Sequence, residues 1–591
     1  MSVAHIASGE VSGVWQARCK VAMDFEAYDD ERERGAVIAS VVENRAREVN
    51  NLSASSSSII IYYQSSSQVC VAVMDIRNRS CIEITLMSDS HSYSEALMTL
   101  SAINPSEILV QDGTQKKVLT EKILKQVSVD VTTTRVLFIS RQYFDQDRGA
   151  DMLKKVLVEE VDADLIAKYI VLAGTYCLLR YVENCSGCSF PNHGLRLVYT
   201  SQSSTRLSID RNTAMNLELI SEIRSGNQKD SLYGAINMTK TVVGARLLKS
   251  NILRPLTDIS TLESRFDVIE LFLRNPPIYT KVSQMLPHLP EMDKCLSGLI
   301  TVPKKITQKS AAVSIETLIM LKSAIKQAFQ LGKLLADLNG GEDECRSLLL
   351  SATIDNFQDE NLMRMLDSID AMLTESTNFS KNSLEMKQNE CFAIKTGVNA
   401  RLDIARVTFL DSVENIYLLA SEYSQMLETA VKVHYNTARG YFLQIPASIV
   451  NLPAVFILAV QQRKSISCTT EEVSSLSDRA AESIGEALLI THDILQELLE
   501  SIRQNMGTVF TLTDSIALVD MLVSFADLVA FSPLPFTRPV LKINGPMVIR
   551  RGRHLIVESS QKQHFVENDT FISALKNVQI ITGNERSTHS V

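Results

Sequence analysis

The amino-acid sequence predicts a multidomain protein that is mainly α-helical, with α/β and β-rich parts. Much of the chain carries apolar residues at helical spacing, which is typical of amphipathic helices. A region near the start alternates short apolar runs with a helical pattern, and this alternation favours an α/β layer. A chain of 591 residues is also too long for one hydrophobic core, so we expect about three to five domains.

The composition argues against several classes of protein. A formal net charge of −9 argues against a generally basic nucleic-acid-binding coat, although a local basic track would be enough to bind DNA. No apolar run reaches the roughly 18 residues of a membrane helix, and the first residues lack a secretory signal, so we expect an intracellular protein. Its ten cysteines are then reduced thiols. Only Cys185 and Cys188 have ligand-like spacing, and without a second pair we interpret them as incidental thiols and expect no metal site.

Residues 1–66 are predicted to form a largely disordered leader. They show little apolar periodicity, contain the charged run 29–34 and end in serine clusters at 55–58 and 65–67. Two alternatives stay open within the leader: a short helix over 36–49 and an edge strand over 59–63.

Residues 67–200 are predicted to form an α/β domain. Strand patterns occur at 69–76, 81–86, 107–110 and 135–139, with a helical pattern at 92–103. A strongly apolar helix at 163–182 is expected to pack on this sheet or to bridge onward.

The stretch 215–255 organises the chain that follows. A first helix is broken by Ser225, Gly226 and Asn227, and a second helical pattern runs from Leu232 until Pro255 ends it. The second pattern contains Gly234 and Gly244, each of which costs about 1 kcal/mol relative to alanine in a helix interior. We therefore expect close packing of the backbone at both glycines.

Helices dominate the rest of the chain apart from one β-rich module and a strand-rich end. Helical patterns occur at 262–273, 278–285 and 314–336. Residues 431–445 alternate like two strands of a hairpin, and residues 472–508 then form a long helix whose partner is expected to be an antiparallel helix before the β-rich module. A helix at 515–529 precedes strand patterns at 540–543, 547–549, 554–557 and 578–583.

The stretch 215–255 resembles the core segment of the MutS family of DNA-clamping ATPases. The residues that match in type and spacing are Asn216, Leu217, Glu218, Leu219, Thr241, Gly244, Arg246, Leu247, Leu248, Lys249 and Pro255. Other segments match in the right order over about residues 67–583, so the chain is identified as a member of this family. The resemblance implies an RNase H-like connector at 67–200, the first part of a core/lever domain at 201–395, a β-rich clamp at 396–471, returning lever helices at 472–533 and an incomplete start of an ABC-type ATPase domain at 534–591.

The mismatch-reading domain of the family is expected to be absent. Its Phe-x-Glu motif wedges against a mispaired base, whereas only the leader precedes the connector here. Phe25 and Glu26 lack the spacer residue, and Phe565 and Glu567 have the spacing in another context. The leader runs at 34–39 and 43–49 resemble plant versions of the fourth MutS homologue, a meiotic branch without that domain.

This resemblance implies a partner, a substrate and a location. The full-length protein would pair with the fifth MutS homologue and enclose branched DNA such as Holliday junctions as an ATP-gated clamp. It would promote crossing over on meiotic chromosomes in the nucleus, without contact with a membrane. The alternative is a DNA-inactive truncated isoform or scaffold that binds only partners.

The hairpin of the predicted clamp resembles the family's Y-N-x-x-x-G-Y-Y-I-Q-I segment at the tip that closes over DNA. The candidate DNA contacts are Lys432, His434, Asn436, Arg439, Tyr441, Arg463 and Lys464. The basic members of this set would make phosphate contacts that do not depend on base sequence. The alternative is that they are ordinary solvated residues on an exposed β module.

The family's P-loop, T-G-P-N-M-x-G-K-S/T, is matched only as far as Gly583. Thr588 and His589 stand where the phosphate-binding glycine and lysine are needed, so we expect no catalytic residues and no enzyme activity from this chain. ATP and Mg²⁺ are cofactors of the full-length family, and none is expected here. Loss of the match suggests truncation by splicing, a frameshift or a gene-model error, which the sequence does not distinguish. Phe565, Asn568 and Gly583 resemble part of a nucleotide site, although in this shortened form the interpretation of Phe565 as an apolar loop residue under an incomplete sheet is favoured.

Overall fold

The computed structural model describes residues 58–580, with gaps inside that range. The gaps are at 66–67, 77–78, 89–92, 104, 130–133, 161–162, 201–205, 208, 224, 341–345, 375–388, 437–438, 447–452, 462–464, 533–535 and 561–564. The leader helix predicted at 36–49 and most of the predicted disordered leader lie outside the described residues.

An α/β domain forms the first part of the described chain. Its elements are β1 (Ser58–Ser65), β2 (Gln68–Asp75), β3 (Cys81–Ser88), α1 (Ser94–Ile103), β4 (Glu107–Gln111), α2 (Val118–Val129), β5 (Arg135–Ile139), α3 (Gln146–Val156), α4 (Ala163–Ile166), α5 (Tyr169–Ser186), β6 (Cys188–Ser189) and β7 (Arg196–Thr200). Six strands make one sheet in the order β5-β4-β1-β2-β3-β7. Strands β2 to β5 confirm the four predicted strand patterns, and the helix predicted at 163–182 is divided into α4 and α5.

Strand β1 shows that the predicted leader boundary at residue 66 is wrong. It pairs antiparallel with β2 and parallel with β4, so it is an inner strand and not an edge strand. Ile59 and Ile61 join the core on the side of α5, while Ile60 and Tyr62 join the core on the side of α1 and α2. Alternate side chains of a strand point to opposite faces, so burial of both faces requires an unbroken apolar run. The described part of the α/β domain therefore includes Ser58–Ser65.

A helical core follows the α/β domain. Its elements are α6 (Arg211–Asn216), α7 (Leu232–Ile236), α8 (Val242–Leu253), α9 (Ile259–Arg274), α10 (Pro276–Met285), α11 (Met292–Ile300), β8 (Val302–Pro303), α12 (Gln308–Asn339), α13 (Leu348–Phe357) and α14 (Glu360–Met372). The long second helix predicted from Leu232 is interrupted between α7 and α8, and Thr241 caps the new helix by accepting the Gly244 N–H. Strand β8 pairs with β6 and joins the core to the α/β domain.

Two long antiparallel helices carry a small sheet. These are α15 (Ala400–Met426), the strands β9 (Lys432–Asn436), β10 (Gly440–Pro446), β11 (Ile457–Gln461) and β12 (Ser465–Thr469), and then α16 (Glu471–Arg503). Arg401 pairs with Glu486 and Tyr423 donates to Glu472, so the helices run in opposite directions. We call β9–β12 the tip sheet and α15 with α16 the stalk. Helix α15 lies inside the predicted clamp at 396–471, so that boundary is wrong and the β-rich module is confined to 432–469.

Helix α17 (Met506–Phe531) is the central helix of the core. Its length and composition would allow a membrane span, contrary to our reading that no apolar run is long enough, but 78% of its most apolar window is buried inside the protein. The helix predicted at 472–508 ends at Arg503, so α16 and α17 are separate helices.

The end of the described chain contains fewer strands than predicted. Strands β13 (Met547–Gly552) and β14 (Asn568–Ile572) pair antiparallel, with helix α18 (Leu555–Ser560) between them. The predicted strand at 554–557 is thus helical. Residues 540–543 and 578–580 are not in strands, and residues 581–583 lie outside the described part.

Candidate nucleic-acid interface

The tip sheet has one outward face and one inward face. Along β9, exposed Lys432, His434 and Asn436 alternate with half-buried Val433 and Tyr435. Along β10, Tyr441, Leu443 and Ile445 are buried and alternate with half-buried residues. The pairing of His434 with Phe442 and of Lys432 with Gln444 places these four residues on the outward face. A cationic and polar surface therefore covers an apolar layer that faces the stalk.

Two residues of the outward face were missed by the sequence prediction. The His434 and Phe442 rings stack with their centroids 5.9 Å apart, and Gln444 donates to Ser465 Oγ at 2.7 Å. Their signal was the strict alternation of β10, in which Phe442 and Gln444 occupy the positions between buried residues. An aromatic ring beside cationic side chains can supply stacking as well as charge.

Arg439 lies across the outward face rather than reaching away from it. Its Nη1 donates to Ser467 Oγ at 3.1 Å, and its Nη2 donates to the Leu458 carbonyl at 3.3 Å. The guanidinium also lies over the Phe442 ring, 5.3 Å from its centroid. Because Arg has five N–H donors, it retains donors for a phosphate while these contacts fix its position.

Tyr441 is a core residue, so its prediction as a DNA contact is wrong. Only 5% of its surface is exposed, and its ring meets the edge of the Tyr435 ring at 4.9 Å. Burial raises the pKa of its phenol to about 12. Its backbone N–H donates to Ser477 Oγ at 3.0 Å, which ties the hairpin to α16. Strand alternation requires this inward position, because Tyr441 neighbours outward Phe442.

Four of the predicted contacts, Lys432, His434, Asn436 and Arg439, are brought together on the outward face of the tip sheet. Arg463 and Lys464 lie outside the described residues, between β11 and β12.

The residues that carry the MutS resemblance form the base of the core against α17. Asp520 is fully buried and accepts N–H groups from Lys240 and Thr241, while the Thr241 hydroxyl donates to it at 2.6 Å. Burial raises the pKa of its carboxyl above the ordinary value, against the lowering effect of these hydrogen bonds. A Cβ on Gly244 would stand 2.8 Å from Asp520 Cγ, so the expected close packing at this glycine is confirmed.

A second carboxylate, that of Asp527, also connects the start of the helical core to α17. Lys240 Nζ donates to Asp527 at 2.5 Å, and the Tyr279 hydroxyl donates to the other oxygen of the same carboxylate. Arg246 pairs with Asp293 at 2.9 Å. These contacts join α8 and α10 to α17, and α8 to α11.

Two residues of the predicted partial nucleotide site, Phe565 and Asn568, lie just before and at the start of β14. Phe565 is half-buried, with the Arg553 guanidinium 6.0 Å from its ring centroid. Asn568 opens β14 and pairs with Gly552, and Gly583 lies outside the described residues. Arg553 also pairs with Glu558 and, at 2.7 Å, with Glu567. Phe565 therefore packs locally beside Arg553.

The paired cysteines are described at the end of α5 and in β6. Cys185 and Cys188 are both half-buried free thiols. Among the described residues, no group of three or more His, Cys, Asp or Glu side chains is placed to hold a metal ion.

Comparison with known proteins defines the class of protein first. The family model described as MutS domain III matches residues 212–526, which is more than half of the chain. The chain belongs to the MutS family.

Within that family the similar proteins include several fourth MutS homologues. It is 26% identical to MutS protein homolog 4 of Homo sapiens over 531 residues, covering 88% of this chain and 55% of that protein. It is 29% identical to the DNA mismatch repair protein MSH4 of Arabidopsis thaliana over 586 residues, covering 95% of this chain and 70% of that protein. It is 24% identical to MutS protein homolog him-14 of Caenorhabditis elegans over 517 residues, covering 84% of this chain and 60% of that protein. The predicted likeness to the fourth homologue is confirmed, and the chain spans about half the length of the human relative.

Proposed function

We propose that this chain is a DNA-binding clamp subunit of a MutS-type heterodimer that acts on branched meiotic recombination intermediates. Holliday junctions are the proposed substrate, promotion of crossing over is the proposed role, and meiotic chromosomes in the nucleus are the proposed location. The fifth MutS homologue is the proposed partner. The observation that carries this proposal is the outward face of the tip sheet, which presents Lys432, His434, Asn436 and Arg439 at the end of a long stalk.

The geometry favours contact with DNA phosphates rather than with base edges. Residues 471–485 of α16 project about 22 Å beyond the contact of Gly485 with Gln308 of α12, so the tip sheet lies away from the core at the end of the stalk. Cationic and polar side chains on a short exposed sheet suit the sequence-independent phosphate contacts that fix a protein on DNA. Such contacts release counterions, so affinity should fall steeply with salt.

We also propose that the chain does not read mismatches. The only Phe-x-Glu spacing in the sequence is Phe565 to Glu567, and the Glu567 carboxylate accepts a hydrogen bond from Arg553. A mismatch wedge needs an aromatic ring that is free to insert between bases, whereas this ring lies beside a guanidinium.

ATP hydrolysis by this chain alone is not part of the proposal. The sequence contains no G-x-x-x-x-G-K-[ST] segment, whose backbone amides cradle phosphates and whose lysine reaches the β and γ phosphates. ATP and Mg²⁺ would belong to the nucleotide domain of the wider family. In that scheme, nucleotide gates a clamp whose DNA contacts lie in the tip sheet.

Binding to a labelled four-way junction and to a duplex of equal length, across a salt series, tests the proposal. We expect preference for the junction, a steep salt dependence and a several-fold loss of affinity in the double variant Lys432→Ala/His434→Ala. The matched control is Lys333→Ala/Lys305→Ala, which removes two exposed lysines of the helical core, outside the tip sheet. Equal loss in both variants would place the contacts elsewhere. A folded chain that binds neither DNA would favour the alternative of a scaffold that binds only partners.

A further inference from the structure

Helix α15 exposes large apolar side chains along the side that faces away from α16. Ile404 is 67% exposed, and four others are at least half exposed. We call this set the α15 ridge, and its members are Ile404, Val407, Leu410, Tyr417 and Leu418. The ridge spans fifteen residues from Ile404 to Leu418, which corresponds to about 21 Å of helix.

The opposite side of α15 is apolar as well. Leu402, Phe409 and Ile416 are buried on that side of the helix. Helix α16 differs, since its outward positions are mainly charged while its inward positions are apolar. A surface helix normally concentrates its large apolar side chains on the side that faces the core, whereas α15 carries them on both sides. The ridge therefore has the character of a contact surface that another helix completes.

The charges around the ridge are acidic. Asp411, Glu414 and Glu422 are exposed on the same side, one helical turn from Val407, Leu410 and Leu418 respectively. Arg401 pairs with Glu486 of α16 at 3.1 Å. Helix α15 contains four acidic residues and two arginines, and α16 contains eight acidic residues and two arginines, so the stalk carries a formal charge of −8.

This charge decides which occupant fits. A second copy of the stalk would bring acidic residues against acidic residues, and DNA would bring phosphates against them. A basic amphipathic helix would place apolar anchors on the ridge and cations beside Asp411, Glu414 and Glu422. We propose that the α15 ridge is a docking surface for a basic amphipathic helix of a partner protein. The proposal is independent of DNA binding by the tip sheet.

Fluorescence anisotropy of three labelled 18-residue peptides with the full chain tests the proposal. The first is a Leu/Lys peptide with leucines at i, i+3, i+4 and i+7, the second replaces lysine with glutamate, and the third scrambles the first. We expect the amphipathic Leu/Lys peptide to bind at least tenfold more tightly than either of the others. The variant Val407→Ser/Leu418→Ser should weaken that binding at least tenfold, and Asp411→Asn/Glu414→Gln should weaken it several-fold.

The matched control is Val455→Ser/Leu458→Ser, which removes comparably exposed apolar side chains just before and within β11, away from the ridge, and should leave binding unchanged. Equal binding to wild type and to both ridge variants would overturn the proposal, because the peptide would then be recognising general acidity. Sedimentation velocity adds a second readout. A wild-type dimer that becomes a monomer in Val407→Ser/Leu418→Ser would make the occupant a second copy. Failure of every peptide to bind would mean that the ridge is already covered by this chain, and would likewise overturn the proposal.

Discussion

At the scale of single residues, Gly244 is the position where a methyl group matters most. Alanine is intrinsically favoured over glycine in a helix by about 1 kcal/mol, but its Cβ would collide with the Asp520 carboxylate. That carboxylate is held by Lys240 and Thr241 and has no room to move. We expect Gly244→Ala to lower the free energy of unfolding by about 1–3 kcal/mol. Urea denaturation measures this, and Gly545→Ala, whose Cβ would meet only Lys542 at 4.0 Å, should be neutral.

Asp258 offers a test of pH dependence at one helix cap. Hydrogen bonds from the Thr261 side chain, the Ser260 side chain and the Thr261 N–H lower the pKa of its carboxyl to about 2. Because the pKa is lower in the folded state than in the unfolded state, the stabilisation is present above about pH 4 and is lost as the pH falls toward 2. Asn caps helices as well as Asp does. We therefore expect Asp258→Asn to change little at pH 7 and to reduce the slope of the urea midpoint between pH 4 and 2. An unchanged slope would contradict this assignment.

At the scale of elements, the hairpin of the tip sheet depends on one hydroxyl of α16. Ser477 is nearly buried and accepts the Tyr441 N–H. Its replacement by alanine would leave a buried donor without a partner, which costs about 1–3 kcal/mol. We expect Ser477→Ala to accelerate hydrogen exchange in β9 and β10 while exchange in β1–β5 is unchanged. Ser475→Ala, on the exposed side of the same helix, is the control. Faster exchange in both variants would show that the effect is not specific to this hydrogen bond.

The elements that could be predicted from the sequence are those whose pattern is local. Periodicity predicted α12, α16 and strands β2 to β5. It offered β1 only as an alternative edge strand within the leader because serine clusters flank that strand, and it misplaced the start of the β-rich module because α15, with apolar residues on both sides, has no clear period. The break between α7 and α8 depends on Asp520, which lies some 280 residues further along the chain, so no local signal revealed it.

The candidate site also contains residues that the sequence predicted and residues that it did not. Residue types and the family resemblance located Lys432, His434, Asn436 and Arg439. They also included Tyr441, whose inward direction follows from strand register, and a register is fixed only when both strands are placed. Phe442 and Gln444 were missed because neither carries a charge, although they share the outward face.

At the scale of the whole molecule, Arg538 attaches the strand-rich end to the helical core. It pairs with Asp267 at 2.8 Å, Glu270 at 3.0 Å and Glu263, all on one side of α9, and lies 5.4 Å from the Phe266 ring centroid. We expect Arg538→Ala to increase protease cleavage within residues 536–572 several-fold. High salt should have the same effect on the wild type and little further effect on the variant.

Arg551→Ala is the matched control for that experiment. Arg551 is 83% exposed and makes one ion pair, at 3.9 Å, within the hairpin itself. Its removal should leave the cleavage rate unchanged. Equal cleavage in the two variants would show that Arg538 is not the attachment.

Helix α16 has the arrangement of a lever, because one end is fixed in the core and the other end carries the tip sheet. Arg503, at the end fixed in the core, is buried and donates to the Leu299 carbonyl at 2.9 Å. Helix α16 also packs against the start of α12, where Gly485 meets Gln308, so the part that projects toward the tip sheet is residues 471–485, about 22 Å long, and a rotation of about 10° displaces the tip by about 4 Å. A displacement of that size exceeds the length of a hydrogen bond. Small rearrangements around α11 and α17 are thereby magnified into the making or breaking of whole contacts at the far end.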